Sequence, residues 1–307
     1  MKSLTELFRL FLLAVAFTAS AVEFSVEPQS PWQPNGKNAY SIEFGGGKVH
    51  PYLWIRSKEL KNGAYYRLSF EAAEGRLFFA ALIREKSGEK WSHRGYHDDL
   101  ENHGGTKHYS FYFRARKPEE GSAFAIYPLQ GKKGKDTIRN ISLEEVTDFS
   151  DNLLKEGDFE FGSALFPRHE RFAGQLAVVA SPGFFCGEES LRIIKKAGDT
   201  VAAISRDLPA IPGRTVTVSF WVRAERGTIP GIMYLDFFRP GREKHLVRKF
   251  GFKAEPDWKK FSYSYQVPED TALYPALVDG MLRVHFHLSK SEPEATVWLD
   301  NLEYTVQ

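Results

Sequence analysis

The sequence predicts an all-β chain of two tandem antiparallel β-sandwich domains. Three observations carry this: short apolar alternations of period two, turn residues between them, and a repeat of the whole pattern. The alternation is clear in Val216-Thr-Val-Ser-Phe-Trp-Val222 and Arg283-Val-His-Phe-His-Leu288. Lys61-Asn-Gly63, Ile211-Pro-Gly213 and Pro240-Gly241 supply the turn chemistry that links such strands. No stretch after the N-terminal leader sustains helical spacing. Aromatic residues make 14% of the chain, and rings pack well on pleated sheets. The one cysteine, Cys186, can close no disulfide within the chain, so apolar cores must supply the stability.

In chain order, the first segment reads as an export signal. Lys2 and Arg9 precede an apolar run from Leu10 to Phe17, and Ala19-Ser-Ala21 forms a small-x-small cleavage pattern. The run is shorter than the ~20 residues a membrane-spanning helix needs, and no later run reaches that length. No cysteine stands near the cleavage site to accept a lipid. The expectation is a protein cleaved near Ala21, secreted or periplasmic, with no membrane insertion.

The mature chain then divides into residues 22–147 and 152–307, with a polar seam from Thr147 to Asp151. Four segments of the first part can be laid on four of the second in the same order. Tyr40–Phe44 lies on Ser190–Ile194, and Leu68-Ser-Phe70 lies in register with Val218-Ser-Phe220. Thr106–Phe113 lies on Trp258–Tyr265, and Thr137–Glu145 on Thr296–Tyr304. Each half then reads as one antiparallel sandwich or jelly roll that buries the inner faces of two sheets.

Charge narrows the partner classes. Without Lys2, Arg9 and Glu6 the chain keeps 39 basic and 38 acidic residues of its 41 and 39. That balance lacks the basic excess of a nucleic-acid or anionic-membrane binder.

The second half has a recognisable opening, Asn152-Leu-Leu-Lys-Glu-Gly-Asp-Phe-Glu-Phe161. It continues with a Ser190–Ile194 strand, the run Pro212–Ala224 containing Val-Ser-Phe-Trp-Val-Arg-Ala, a Trp258 before another strand, and a closing Val297-Trp-Leu-Asp-Asn-Leu302. In this order the motifs resemble the carbohydrate-binding modules of the CenC type, a branch of the galactose-binding-like jelly rolls. The first half shares the later motifs only, and has Arg139-Asn140 where the second has Asp300-Asn301. The resemblance implies a poly- or oligosaccharide ligand. It also implies a structural Ca²⁺ near the meeting of first and last strands, with Glu160 and Asp300 matching the usual carboxylate ligands. Oxygen donors of that kind suit calcium; plain solvent exposure of both residues is the competing reading. The first half, with neither carboxylate, should hold no calcium there.

A sugar offers apolar ring faces and a rim of hydroxyls, so its site needs aromatic rings beside polar side chains. Strand alternation says which residues point away from the core. With Val216, Val218, Phe220 and Val222 inward, Trp221 and Arg223 point out. With Val284, Phe286 and Leu288 inward, Arg283, His285 and His287 point out. With Met233, Leu235 and Phe237 inward, Tyr234 and Asp236 point out. These seven are the expected ligand face. The same residues could instead serve a domain interface. Tyr263 and Tyr265 fall in phase with Phe261 and read as core, and Trp258 as a packing residue. In the first half Glu71 stands where Trp221 does, while Trp32, Trp54 and Trp91 could offer other platforms.

Other chemistries have less support. His93, His97, His103 and His108 with Asp98, Asp99 and Glu101 concentrate metal-type ligands, but Gly95 and Gly104-Gly105 read as a loop with no fixed ligand spacing. His285 and His287 also point one way from a strand, with no third ligand identifiable. No Gly-x-Ser-x-Gly elbow is present, and Cys186 sits in Phe184-Phe-Cys-Gly187, a setting for a small buried residue. The leading expectation is a secreted, non-catalytic carbohydrate-binding protein. A structural or adhesive protein recognising protein or cell envelope is the alternative, and a glycoside-processing enzyme is third.

Overall fold

The computed structural model describes residues 20–45, 51–73, 78–87, 90–93, 100–101, 106–115, 122–128, 133–154, 157–159, 175–182, 187–237, 246–274, 277–278, 280–288 and 294–307. Outside them lie most of the leader (1–19), His97, Asp98, Asp99 and His103 of the histidine-rich stretch, Glu160 and Cys186. For His93, Trp91 and Glu101 only the backbone is described.

The first half contributes β1 (Ser20–Ala21), β2 (Ser25–Pro28), β3 (Gln33–Pro34), β4 (Ala39–Phe44), β5 (Leu53–Arg56), β6 (Tyr65–Ala73), β7 (Phe78–Ser87), β8 (Lys90–His93), β9 (Leu100–Glu101), β10 (Thr106–Arg114), β11 (Ser122–Pro128) and β12 (Gly134–Val146). The second contributes β13 (Leu176–Ala180), β14 (Glu189–Lys195), β15 (Val201–Ile204), β16 (Leu208–Pro209), β17 (Thr215–Ala224), β18 (Ile229–Phe237), β19 (Leu246–Ala254), β20 (Lys259–Gln266), β21 (Met281–Leu288) and β22 (Ala295–Val306). Among the described residues there is no α-helix, and no helix long and apolar enough to cross a membrane.

These strands form four antiparallel sheets. Sheet I runs β10-β6-β12-β4-β3 and sheet II runs β2-β5-β11-β7-β8. Sheet III runs β13-β14-β22-β17-β20 and sheet IV runs β15-β21-β18-β19. Matched strand for strand, I and III share one order: β10, β6, β12, β4 and β3 answer to β20, β17, β22, β14 and β13. The sequence β5-β11-β7-β8 of sheet II likewise answers to β15-β21-β18-β19 of sheet IV. The repeat in sequence is therefore a repeat of topology.

Alternation fixes the cores. Ile42, Phe44, Leu53, Ile55, Leu68, Phe70, Phe111, Phe124 and Ile126 fill the space between sheets I and II. Val216, Val218, Phe220, Val222, Met233, Leu235, Phe237, Val284, Phe286 and Leu288 fill that between III and IV. Every inward position named from the alternation is buried. Phe261, Tyr263 and Tyr265 pack against this second core while partly exposed, on edge strand β20. Phe220 centres the cluster, with its ring 4.7 Å from Phe286, 5.4 Å from Phe252 and 5.7 Å from Phe261.

Each closing strand carries the same irregularity. Register against β6 shifts between Arg139 and Ser142, and register against β17 shifts between Ser219 and Trp221. At each bulge an asparagine is left-handed: Asn140 with φ 52° and Asn301 with φ 43°, a conformation Asn tolerates better than most residues. The bulges correct the sequence alignment. Arg139 lies opposite Glu71 as Asp300 lies opposite Trp221, so Thr137 answers to Trp298 and not to Thr296. Carried across to β4 and β14, the pairing matches Tyr40 to Leu191 and Ile42 to Ile193, one residue away from the Tyr40–Ser190 overlay. A slip of one would turn every core residue of the strand outward, which burial of Ile42 and Ile193 forbids.

The halves are docked through side chains. Tyr65, Tyr112 and Phe149, from the first half and the seam, belong to the second core, and the Tyr65 and Phe149 rings meet edge to face at 5.4 Å. Tyr65 Oη donates to Gly280 O at 3.0 Å, and Arg114 Nη1 donates to Val278 O at 3.0 Å. Gly280 has φ 63°, and a Cβ there would collide with the Tyr65 hydroxyl.

Candidate functional site

The seven expected ligand residues do not share a face. Trp221 and Arg223 are on β17 and point out from sheet III, whereas Tyr234, Asp236, Arg283, His285 and His287 are on β18 and β21 and point out from sheet IV, across the core. The expectation of one face is corrected to two. Alternation assigns inside and outside along a strand, but says nothing about which sheet the strand joins. Here the chain crosses the sandwich between β17 and β18.

On sheet III, Arg223 lies opposite Trp298, which lies opposite Arg192 on β14, and Arg223 Nη1 donates to Pro182 O. Trp221 lies between Asp300 and Lys260. Asp300 is fully buried, and its Oδ1 accepts the Asn301 N–H at 2.6 Å. The alternative of solvent exposure is thereby excluded for Asp300. A buried hard-oxygen donor at this bulge fits a calcium ligand, while its expected partner Glu160 lies outside the described residues. Among the described residues there is no group of three or more His, Cys, Asp or Glu placed to hold a metal.

On sheet IV the five remaining residues form a compact polar and aromatic surface. Register places Tyr234 opposite His285, Asp236 opposite Arg283 and Ile232 opposite His287, spacings at which cross-strand side chains touch. The Tyr234 ring meets the His287 ring edge-on at 4.5 Å, and the His285 and His287 rings lie near parallel at 5.7 Å. From β19, Lys249 Nζ sits 5.5 Å from the Tyr234 ring centre, within cation–π range. Arg283 Nε is bonded to Asp207 Oδ1 at 2.6 Å. At the two ends of the row through Ile232 and His287, Ala202 opposite His287 is buried, and Gly251 opposite Ile232 has open space about it.

Burial favours the neutral form of both histidines. Burial, with repulsion from His287 when protonated and from the Arg283 charge adding to it, pushes the pKa of His285 from 6.5 down to about 3. Burial also lowers that of His287. A neutral imidazole offers one donor and one acceptor, the complement of a hydroxyl. His285 Nε2 is 3.8 Å from Asp236 Oδ2, beyond hydrogen-bond length. Among the described residues neither His285 Nε2 nor His287 Nε2 has a hydrogen-bond partner, though both are buried. Buried polar atoms normally find partners, so these two nitrogens are unused hydrogen-bonding capacity lying just beneath the outer surface of sheet IV.

Sequence reasoning missed Asp207 and Lys249. Asp207 precedes a two-residue strand too short to show alternation. Lys249 alternates outward in β19, but its neighbours Arg248 and Phe250 are both partly buried and blur the pattern.

The corresponding face of the first half, on sheet II, is made differently. The Tyr52 ring lies 4.8 Å from Trp54 and 5.1 Å from Tyr127, and the Arg56 guanidinium lies 5.2 Å over Trp54 while bonded to Glu27 at 2.8 Å. Trp54 and Tyr127 are 7% and 5% exposed and belong to neither core. Trp32 is core, with Nε1 donating to Pro51 O. A cavity of about 470 Å³ lies by β3, β4 and β12, lined by Gln33, Ser41, Glu43, Lys135, Asp136 and Thr137; among the described residues that line it there is no aromatic ring for a sugar to stack on.

No family model matches this chain, and no curated protein matches it. Among solved structures, a tandem of two CBM22 modules from Paenibacillus barcinonensis is similar at 13% identity and TM-score 0.37, covering 94% of this chain and 93% of that one. A CBM4 structure is similar at 16% identity and TM-score 0.37 over 50% of this chain and 99% of its own. The TmCBM61 structure in complex with β-1,4-galactotriose is similar at 14% identity and TM-score 0.34 over 52% of this chain and all of its own. At such scores the architecture rests on this chain's own strand order, and function rests on the site.

Proposed function

We propose that this chain is an exported carbohydrate-binding protein without catalytic function, and that it takes a poly- or oligosaccharide on the outer face of sheet IV. The observation that carries this reading is the pair of neutral histidines with partnerless Nε2 atoms beside the Tyr234 ring. Tyr234 supplies a platform for an apolar ring face. His285 and His287 would supply hydroxyl-matching groups once a ligand displaces what covers their Nε2 atoms, and Asp236 and Arg283 complete the polar rim. The charges of the face balance: Arg283 and Lys249 against Asp207 and Asp236. A neutral glycan suits that balance better than an acidic one.

In the same reading, Asp300 with Glu160 would hold a structural Ca²⁺ on the far side of the second half, and the leader up to Ala21 would direct export. Screening the mature protein on a glycan array and by affinity electrophoresis in polysaccharide gels tests the ligand. Retention by at least one neutral polysaccharide is expected, and absence of retention by all of them overturns the reading.

A further inference from the structure

The face on sheet IV is braced along its β21 edge by three consecutive residues, Ser205, Arg206 and Asp207, and the middle one reaches into the first half. Ser205 stitches the segment to β21: its N–H donates to Val284 O at 2.8 Å, and its Oγ accepts the Val284 N–H at 2.8 Å while donating to Arg206 O at 2.7 Å. Val284 lies between Arg283 and His285. Asp207 then takes Arg283 Nε on Oδ1 at 2.6 Å.

Arg206 is only 4% exposed. Its guanidinium lies 4.7 Å over the Phe111 ring, and its Nη1 donates to Ser110 O, both on β10 of the first half. The next residues, Leu208 and Pro209, pair with Leu282 and Met281 of β21, and Ala210 N–H donates to Gly280 O. Tyr65 of the first half donates to that same carbonyl. The segment along this edge is thus held to the first half at both ends. A guanidinium buried against another half of the chain carries a large desolvation penalty, and an apolar residue would fill the space with less of one. What arginine adds is direction: two fixed interactions that set the path of the backbone into Asp207.

We propose that Arg206 is a positioning residue for the sugar site. By anchoring residues 205–207 to β10, it holds Asp207 where it orients Arg283 on the sheet IV face. The first half thereby acts as part of the second half's binding site without touching the ligand. This rests on the carbohydrate-binding reading above.

The test uses the full mature chain with Arg206→Met, which keeps apolar volume, Arg206→Lys, which restores a donor, and Asp207→Asn. Phe111→Leu, in the other half, serves as a second variant should Arg206→Met not fold. Two quantities are read: affinity for the polysaccharide that retains the wild type, and the NMR Nε–Hε resonance of Arg283. Arg206→Met and Asp207→Asn should each weaken binding about fivefold, the effect of displacing one charged hydrogen-bonding group from the ligand. The double variant should be no weaker than the worse single one, since both act through the orientation of Arg283. The Arg283 resonance should shift in Arg206→Met and Phe111→Leu, and return toward the wild-type position in Arg206→Lys. A folded Arg206→Met or Phe111→Leu with wild-type affinity and an unmoved Arg283 resonance overturns the proposal. If the wild type binds no polysaccharide, the ligand reading fails while the resonance still decides the coupling: a shift supports it, an unchanged signal refutes it.

Discussion

The two halves share a strand order and a bulged closing strand, yet at the same two places they carry opposite chemistry. At the bulge, the first half sets Arg139 against Glu71 where the second sets Asp300 against Trp221. On the outer face, sheet II packs Tyr52, Trp54 and Tyr127 into a nearly closed aromatic cluster, where sheet IV carries polar rings with partnerless nitrogens. Inward residues are constrained by packing across the core and so preserve topology; outward residues are not, and there function can diverge. The bulge shows how a charge can be replaced. Burial alone would raise the pKa of Glu71, but hydrogen bonds from Arg139 and Asn140 and the charges of His108 and Arg139 outweigh it and hold the carboxylate below its ordinary value. A guanidinium bonded at 2.9 Å neutralises the first half's carboxylate from within the chain.

If the halves are one docked body, equivalent core truncations should act on one transition. Phe70→Ala and Phe220→Ala remove matching rings from the two cores, and each should cost about 3–5 kcal/mol. Calorimetry should show each variant lowering a single common transition. Two separate transitions, each sensitive to one variant only, would break the picture of a shared Tyr65–Phe149–Gly280 junction.

Acid should discriminate the halves next. The folded pKa of His285, about 3, lies below its unfolded 6.5, so between these values the unfolded chain binds a proton that the folded one does not. Stability from this residue is fully present above pH 6.5 and is lost as pH falls toward 3, at up to about 1.4 kcal/mol per pH unit. On sheet II the corresponding column of β11 holds Ala123, Ala125 and Tyr127. His285→Asn should flatten the acid limb of a melting-temperature profile; an unchanged limb would mean the imidazole is not desolvated.

Smaller effects are expected at the two bulges. Calcium chelation should lower the melting temperature of the wild type and leave Asp300→Asn unaffected, by linkage to the folded state. Glu71→Gln should cost about 1 kcal/mol, more at low salt than at high, and show no calcium dependence. Equal calcium sensitivity of Asp300→Asn and the wild type would remove the metal from the second half.

Much of this was legible in sequence because sandwiches write their cores in alternation. Val216 to Val222 and Arg283 to Leu288 each fix inside and outside, and the inward residues of both runs are buried. What alternation lacks is a label for the sheet. Trp221 and Tyr234 are both outward, only thirteen positions apart, and yet on opposite faces. The register of the closing strands was equally silent: the pairing matches Thr137 to Trp298, two positions from the overlay, and a slip of two keeps the same alternation of inward and outward residues. Long-range polar interactions such as Arg206 to Ser110 depend on how the halves dock, for which no local pattern exists.

Placing the proposed ligand face on sheet IV, and not on sheet III, decides which residues would meet a sugar. Affinity electrophoresis of Tyr234→Ala and Trp221→Ala beside the wild type separates the two faces, because these residues point from opposite sides of one sandwich. Tyr234→Ala should migrate as freely in the polysaccharide gel as in a blank one, while Trp221→Ala should be retarded like the wild type. Retardation lost in Trp221→Ala and kept in Tyr234→Ala would move the site across the core, onto sheet III.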